Sequence, residues 1–209
     1  MINIGPTIQT QPAKSERRDA AENRQLILAT ARKLFAEQGV AAVCMSDIAK
    51  EACVGKGTLY RRFSNKGRLC LALLDDELRE FQNKVIQNFQ EQTTNQIPIY
   101  EQLLWFVEQA VNFTSIHLPL MVEISAAGSE GAVQDVNQPH FWFEMTLKGH
   151  LLQLQNSQLI SPEENLDYIA SAILAPLDAR IMKHHLETRG FTTKQITHGI
   201  QTLIRGLMN

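Results

Sequence analysis

Cysteine is scarce in this chain of 209 residues: Cys44, Cys53 and Cys70 make an odd number, and no CxxC pair occurs. That excludes a disulfide scaffold and a zinc finger, and it points to the reducing cytoplasm. Long hydrophobic runs are missing as well. No stretch approaches the ~18 apolar residues of a membrane span. The opening MINIGPTIQTQPAK is polar and broken by Gly5, Pro6 and Pro12, without the charged-then-apolar order of a secretory leader. Residues 1–20 therefore read as a disordered arm. Strand-like alternation is rare. No nucleophile–base constellation or phosphate loop is present, and the scattered His117, Glu123 and Ser125 make no triad, so an enzyme and a cofactor are not expected. Among the six histidines, His184 with Glu187 makes a pair at metal-ligand spacing. His184 and His185 would point about 100° apart on a helix, so no metal site is expected either.

Helical period is what the chain has in abundance. Ile27, Ala31, Leu34 and Phe35 form one stripe, closed by Gly39. Short helices follow at about 46–52 and 55–63. Asn65 is placed to cap a long helix bearing Leu74, Leu78, Phe81, Val85 and Phe89 on one face. Further helices are expected from Pro98, over 118–127, and over 141–154, with a loop bracketed by Gly128, Gly131 and Pro139. Ser161-Pro162-Glu163-Glu164 reads as a capping box opening a helix to about Thr188, kinked at Pro176. Thr192-Thr193-Lys194-Gln195 reads as a second box, before Ile196, Ile200, Leu203 and Leu207. The fold class is all-α, with about nine helices.

Charge is unevenly spread. Between Lys14 and Arg68 there are 12 basic and 6 acidic side chains; from Leu69 onward there are 8 basic and 16 acidic. A basic module for a polyanion, joined to an acidic one, fits that split. The basic part culminates in VGKGTLYRRFSNKGRL, Val54 to Leu69. By itself such a run is as easily a solvated helix face. Two short helices after a longer one, however, describe a helix-turn-helix, whose second helix enters the major groove by its N-terminal end. That end reads Gly55-Lys56-Gly57-Thr58. Lys56 can donate to guanine O6 and N7, Gly57 permits close backbone approach, and Thr58 offers a hydroxyl and a methyl. Tyr60, Arg61 and Arg62 reach flanking phosphates or bases. Lys66 falls at the start of the next helix, where an anion is favoured. Leu59 and Phe63 face inward.

From about Arg24 to Leu69 the sequence resembles the TetR family of bacterial transcriptional regulators. The resemblance rests on ILATARKLFAEQG, DIAKEACVGKGTLYRRF and SNKGRL. It implies a helix-turn-helix DNA-binding domain over 21–68 and a helical ligand-binding and dimerisation domain over 69–209. The implied DNA contacts are Lys56, Gly57, Thr58, Tyr60, Arg61, Arg62 and Lys66, with Gly55 capping the helix and Ser46 touching DNA from the first short helix. The chain departs from the family pattern at Val43-Cys44-Met45, where Thr or Ser is usual, and at Cys53, which replaces the turn glycine. Cys53 must accept a positive φ or shift the turn.

The resemblance also implies a pocket among the middle helices. Expected ligand contacts are Trp105, Phe113, Met121, Phe141, Trp142 and Met145, with His117 and Ser125 supplying polarity. Small residues in the last two helices, Ala170, Ala172, Ala175, Ala179, Gly199 and Gly206, imply a homodimer interface and hence a palindromic operator. The expected function is a sequence-specific DNA-binding regulator, a repressor released from double-stranded DNA by a small-molecule effector. The alternative is a small-molecule binding protein of the same fold with weakened DNA recognition. Neither involves a membrane.

Overall fold

A computed structural model describes residues 13–127 and 139–208, with side chains from residue 21 onward. The described residues contain helices and no strand. The backbone divides into two compact units, with the division between Asn65 and Lys66.

The first unit holds α1 (Ala13–Gln38), α2 (Met45–Glu51) and α3 (Lys56–Arg62). Of the arm expected over 1–20, residues 13–20 are instead the opening turns of α1, and the rest lies outside the described residues. Gly39 ends α1 with φ 82°, its N–H donating to the Phe35 carbonyl at 2.9 Å. The core of this unit is Ile27, Leu28, Ala31, Ile48 and Leu59, all essentially without solvent contact. Leu59 and Phe63 do face inward, as their spacing requires.

Cys44 occupies the cap position of α2 in an extended conformation, and its N–H donates to Asp47 Oδ2 at 2.9 Å. The Cys44 thiol also donates to the same oxygen, at 2.7 Å. These two donors hold the Asp47 carboxyl below the usual carboxylate range. A thiol thus stands where a hydroxyl was anticipated, with the first turn still tied by its third residue.

The turn between α2 and α3 keeps glycine-type geometry without glycine. Cys53 has φ 53°, inside the left-handed region. Its N–H donates to the Lys50 carbonyl at 3.1 Å, and the Val54 N–H donates to the Ala49 carbonyl at 3.0 Å. That pair of bonds is a Schellman motif. The same motif, again on a non-glycine residue, ends two later helices, at Gln96 (φ 57°) and Gln158 (φ 60°).

The second unit comprises α4 (Lys66–Thr94), α5 (Ile99–Ala126), α6 (Pro139–Asn156), α7 (Leu166–Leu174), a 3-10 turn (Ala175–Leu177), α8 (Ala179–Lys183), a π-helical turn (His184–Thr188) and α9 (Thr193–Arg205). Helix α5 is the centre, packing against α4, α6, α8 and α9. Leu103, Phe106, Val107, Ala110 and Val111 bury its inner face against Phe143, Leu147 and Leu151 of α6. Phe81 of α4 closes that core with rings 4.6 Å from Phe113 and 5.8 Å from Phe143. Gln201 donates to the Leu104 carbonyl at 3.0 Å, tying α9 to α5.

Three expectations need correction here. The segment 118–127 is not a separate helix: α5 runs through Pro119 to Ala126. Apolar packing on both sides of that proline outweighs the single lost backbone donor. Ser161 does not open a helix either. Residues 161–164 form one turn, and Asn165 caps α7 by accepting the Tyr168 N–H at 3.1 Å. Finally, Pro176 does not kink a long helix but ends one: the chain passes through a 3-10 turn, and Asp178 caps α8 afresh. The second capping box is as written in the sequence, with the Thr192 N–H donating to Gln195 Oε1 at 2.9 Å and the Gln195 N–H donating to Thr192 Oγ1 at 3.2 Å. The loop expected between Gly128 and Pro139 lies at 128–138, outside the described residues, and Pro139 itself begins α6.

Candidate functional site

In the first unit, α3 presents its polar face outward. Gly55, in extended conformation, precedes the helix without a side-chain cap. Lys56, Gly57, Tyr60, Arg61 and Arg62 are exposed, and Thr58 is half-buried. A Cβ built on Gly57 would meet nothing within 4 Å, so the space beside its backbone is open to a partner. Ser46 of α2 is half-buried, with its Oγ 2.8 Å from the Cys44 thiol. Arg24 of α1 lies 5.9 Å from the centre of the Phe63 ring, bracing the end of α3. At its exposed positions, then, the short helix carries three cations, an aromatic hydroxyl and an unobstructed glycine. That arrangement suits phosphates at its flank and base edges at its tip.

Lys66 belongs to the second unit. Its amine lies 3.2 Å from Glu123 of α5, and the two side chains are only 15% and 28% exposed. Any phosphate contact by Lys66 must be shared with, or taken from, that carboxylate. Cys70 lies one turn further along α4, and burial, reinforced by the Glu123 charge, pushes its thiol up to about 12. Cys70 is therefore a packing thiol rather than a nucleophile.

The second unit also holds a cavity of about 600 Å³ that is half open to solvent. Helix α4 contributes Leu71 and Leu74; α5 contributes Thr114, Met121, Ile124 and Ser125. The start of α6 supplies His140 and Phe143, and the segment from Ser171 to Ile181 closes the remaining wall. Of the eight residues expected from sequence to meet a ligand, Met121 and Ser125 line this cavity. The other six do not. Phe113 is buried in the aromatic core, and His117 packs on it with rings 4.4 Å apart. Trp105 packs on Phe89, and Trp142 on Phe81 and Phe106. Phe141 and Met145 are about half exposed on the outer side of α6.

Thr114 is 1% exposed, and its Oγ1 has no hydrogen-bond partner. Asp178 and Arg180 also reach the cavity wall, yet the Asp178 carboxylate already accepts the N–H of Arg180 at 3.0 Å and of Ile181 at 3.3 Å. Burial lowers the pKa of His117, partly offset by Glu77, and also that of His150, partly offset by its bond to the Thr146 carbonyl. No group of three or more His, Cys, Asp or Glu side chains able to hold a metal occurs among the described residues. None of the described helices is long and apolar enough to cross a membrane.

A three-helix unit with an exposed basic second short helix defines the class of helix-turn-helix proteins. Comparison with known proteins narrows it. The family model described as "Bacterial regulatory proteins, tetR family" matches residues 27–73. Those residues span α1 to the start of α4, so the first unit is similar to the DNA-binding domain of that family. An HTH-type transcriptional regulator of Staphylococcus aureus (strain bovine RF122 / ET3-1) is 49% identical over 65 residues, covering 31% of this chain and 35% of that relative. The match thus spans about a third of the relative's length. Two solved structures share the fold over most of the chain. The Bacillus subtilis transcriptional regulator FadR in complex with stearoyl-CoA superposes with TM-score 0.62 and 18% identity, covering 86% of this chain and 96% of that one. A putative transcriptional regulator from Saccharomonospora viridis in complex with choline gives TM-score 0.64 and 19% identity, covering 90% and 98%.

Proposed function

We propose that the chain is a DNA-binding transcriptional regulator, a repressor whose grip on a palindromic operator is released by a small molecule in the cavity of the second unit. The exposed face of α3 carries this reading. Lys56, Gly57 and Thr58 read bases at the tip of the helix, while Tyr60, Arg61 and Arg62 position it on phosphates. The Schellman geometry kept at Cys53 supports it further, because the turn between α2 and α3 has the left-handed backbone that a glycine there would adopt.

A homodimer supplies the second half-site. Ala172, Gly199, Leu203 and Gly206 are exposed in the single chain and form the candidate contact, whereas Ala170 and Ala179 are buried within the unit and are not available to it. Release follows from linkage: a ligand favours one of two geometries and shifts their populations. The Lys66–Glu123 pair is placed to transmit that choice. Glu123 sits between Met121, Ile124 and Ser125, which line the cavity, and Lys66 opens α4 directly after the DNA-binding unit in the sequence.

Hydroxyl-radical footprinting on the DNA upstream of the chain's own gene tests this reading. The expected pattern is two protected half-sites with centres roughly 34–36 Å apart or a multiple of that spacing. A single protected site, or uniform protection of any fragment, would overturn it.

A further inference from the structure

A groove of about 430 Å³ lies in the second unit where the end of α4, the start of α5 and the middle of α6 meet. It shares no lining residue with the larger cavity. Its volume falls in the range of roughly 300–1,000 Å³ found for small-molecule sites. Phe89, Ile97 and Ile99 give it apolar sides, and the exposed residues Thr93, Gln96 and Gln153 form its rim. No Asp, Glu, Lys or Arg is among the described residues that line it, so a charged group would find no countercharge in the wall.

Gln102 and His150 complete the lining, and they are polar yet only 6% and 8% exposed. The His150 ring is held between Phe89, with ring centres 4.6 Å apart, and Phe106, parallel to it at 6.4 Å. Its Nδ1 lies 2.9 Å from the Thr146 carbonyl. A carbonyl only accepts, so Nδ1 carries the hydrogen and donates, and Nε2 of the neutral ring keeps a lone pair. Burial lowers the pKa of this ring, which keeps it neutral at neutral pH. The Gln102 amide is fixed in the same way: its Nε2 donates to the Ile97 carbonyl at 2.8 Å, leaving Oε1 as an acceptor.

Neither His150 Nε2 nor Gln102 Oε1 has a hydrogen-bond partner among the described residues. Neither is sealed from solvent: the sealed, unpartnered side-chain atoms among those residues are Gln92 Oε1, Thr114 Oγ1 and His185 Nδ1. Two nearly buried side chains thus each keep one accessible acceptor, and both line the same groove.

We propose that this groove is a second ligand site, for a small uncharged molecule with an apolar body whose N–H or O–H group donates to His150 Nε2. Gln102 Oε1 offers a further acceptor to a ligand with two donors. The site is independent of the effector role given to the larger cavity and of the DNA that the first unit binds.

Indole is the probe, and 1-methylindole is nearly the same body without the donor. Both are titrated into the full chain carrying nitrogen-15 histidine, with the ring nitrogens followed by NMR. The signals missing from His150→Phe identify the His150 ring. Indole is expected to move the unprotonated Nε2 signal, and 1-methylindole to bind about three- to tenfold more weakly, the range of one neutral hydrogen bond. His150→Phe keeps a ring between Phe89 and Phe106 and should bring the two affinities within about twofold. Tryptamine and indole-3-acetate, which add a charge of either sign, should bind more weakly than indole.

Equal affinity of the wild type for indole and 1-methylindole would overturn the donor requirement, whether or not His150→Phe folds. Indole binding that leaves the His150 ring signals in place would put its site elsewhere. Tighter binding of either charged analogue would overturn the uncharged class. No binding of indole up to its solubility limit would remove the groove as a ligand site.

Discussion

Replacement of Cys53 probes the joint on which the orientation of α3 depends. A residue with a Cβ in the left-handed region costs about 1–2 kcal/mol relative to glycine. Cys53→Gly removes that strain but returns about 0.5–1 kcal/mol to the flexibility of the unfolded chain. The net expectation is a first unit more stable by about 0–1.5 kcal/mol. Cys53→Val puts a β-branched side chain at φ 53° and should cost about 1 kcal/mol or more beyond the cysteine. The thiol is exposed, so little buried packing changes in either variant. Amide hydrogen exchange of the α2 and α3 segments reads this unit without requiring the whole chain to unfold in one step. Exchange in Cys53→Val should be about fivefold or more faster than in wild type, and Cys53→Gly should exchange no faster. A valine variant as well protected as the wild type would mean that position 53 is not left-handed, and the Schellman account of the turn would fall.

Other perturbations have equally definite signs. Thr114→Val should raise the stability of the ligand-free protein by about 1–2 kcal/mol, a shift of roughly 2–8 °C in the melting temperature of a unit this size, and a lower melting temperature would show that the hydroxyl is already satisfied. Burial depresses the pKa of His117 and His150 in the folded chain, so the stability they contribute is fully present above their unfolded value of about 6.5 and is lost as pH falls toward their lower folded values. Urea midpoints should therefore decline between about pH 7 and pH 5, and His150→Gln should flatten that decline; a midpoint that is constant or rises with acid contradicts this assignment. Glu123→Gln removes the carboxylate that holds Lys66, so affinity for DNA of any sequence should rise a few-fold and the salt slope should steepen by up to about 1. Unchanged affinity and slope would show that Lys66 does not serve phosphates.

The parts of this molecule that could be read in its sequence are those where local chemistry and fold agree. The turn-and-helix at Val54–Phe63 is marked by residues with no better use elsewhere: exposed glycines, a cation at the helix tip, and Leu59 and Phe63 at the spacing of one inner face. The Thr192 capping box could be read for the same reason, since both of its hydrogen bonds are local. Ser161 shows the limit. Its Pro-Glu-Glu context is as strong a start signal, but Asn165, Pro176 and Asp178 impose their own caps and ends, and the chain folds as three short pieces. The cavity was the least legible feature. Aromatic density pointed to Trp105, Phe113 and Trp142, yet large rings are what the core of the second unit is built from. The cavity wall instead mixes aliphatic side chains with Thr114, Ser125, His140, Ser171, Asp178 and Arg180, drawn from segments far apart in sequence. A lone threonine on an apolar helix face carries no sign that its hydroxyl will be left unpaired.

Fluorescence anisotropy with the full chain, on DNA from upstream of its own gene and a scrambled fragment of the same length across a salt series, separates operator recognition from charge-driven binding. The upstream fragment should bind at least about 10³-fold more tightly at physiological salt, Lys56→Ala should erode that ratio, and Arg61→Ala should lower both affinities together with a shallower salt slope. Equal affinity for the two fragments, unaffected by Lys56→Ala, would contradict operator recognition.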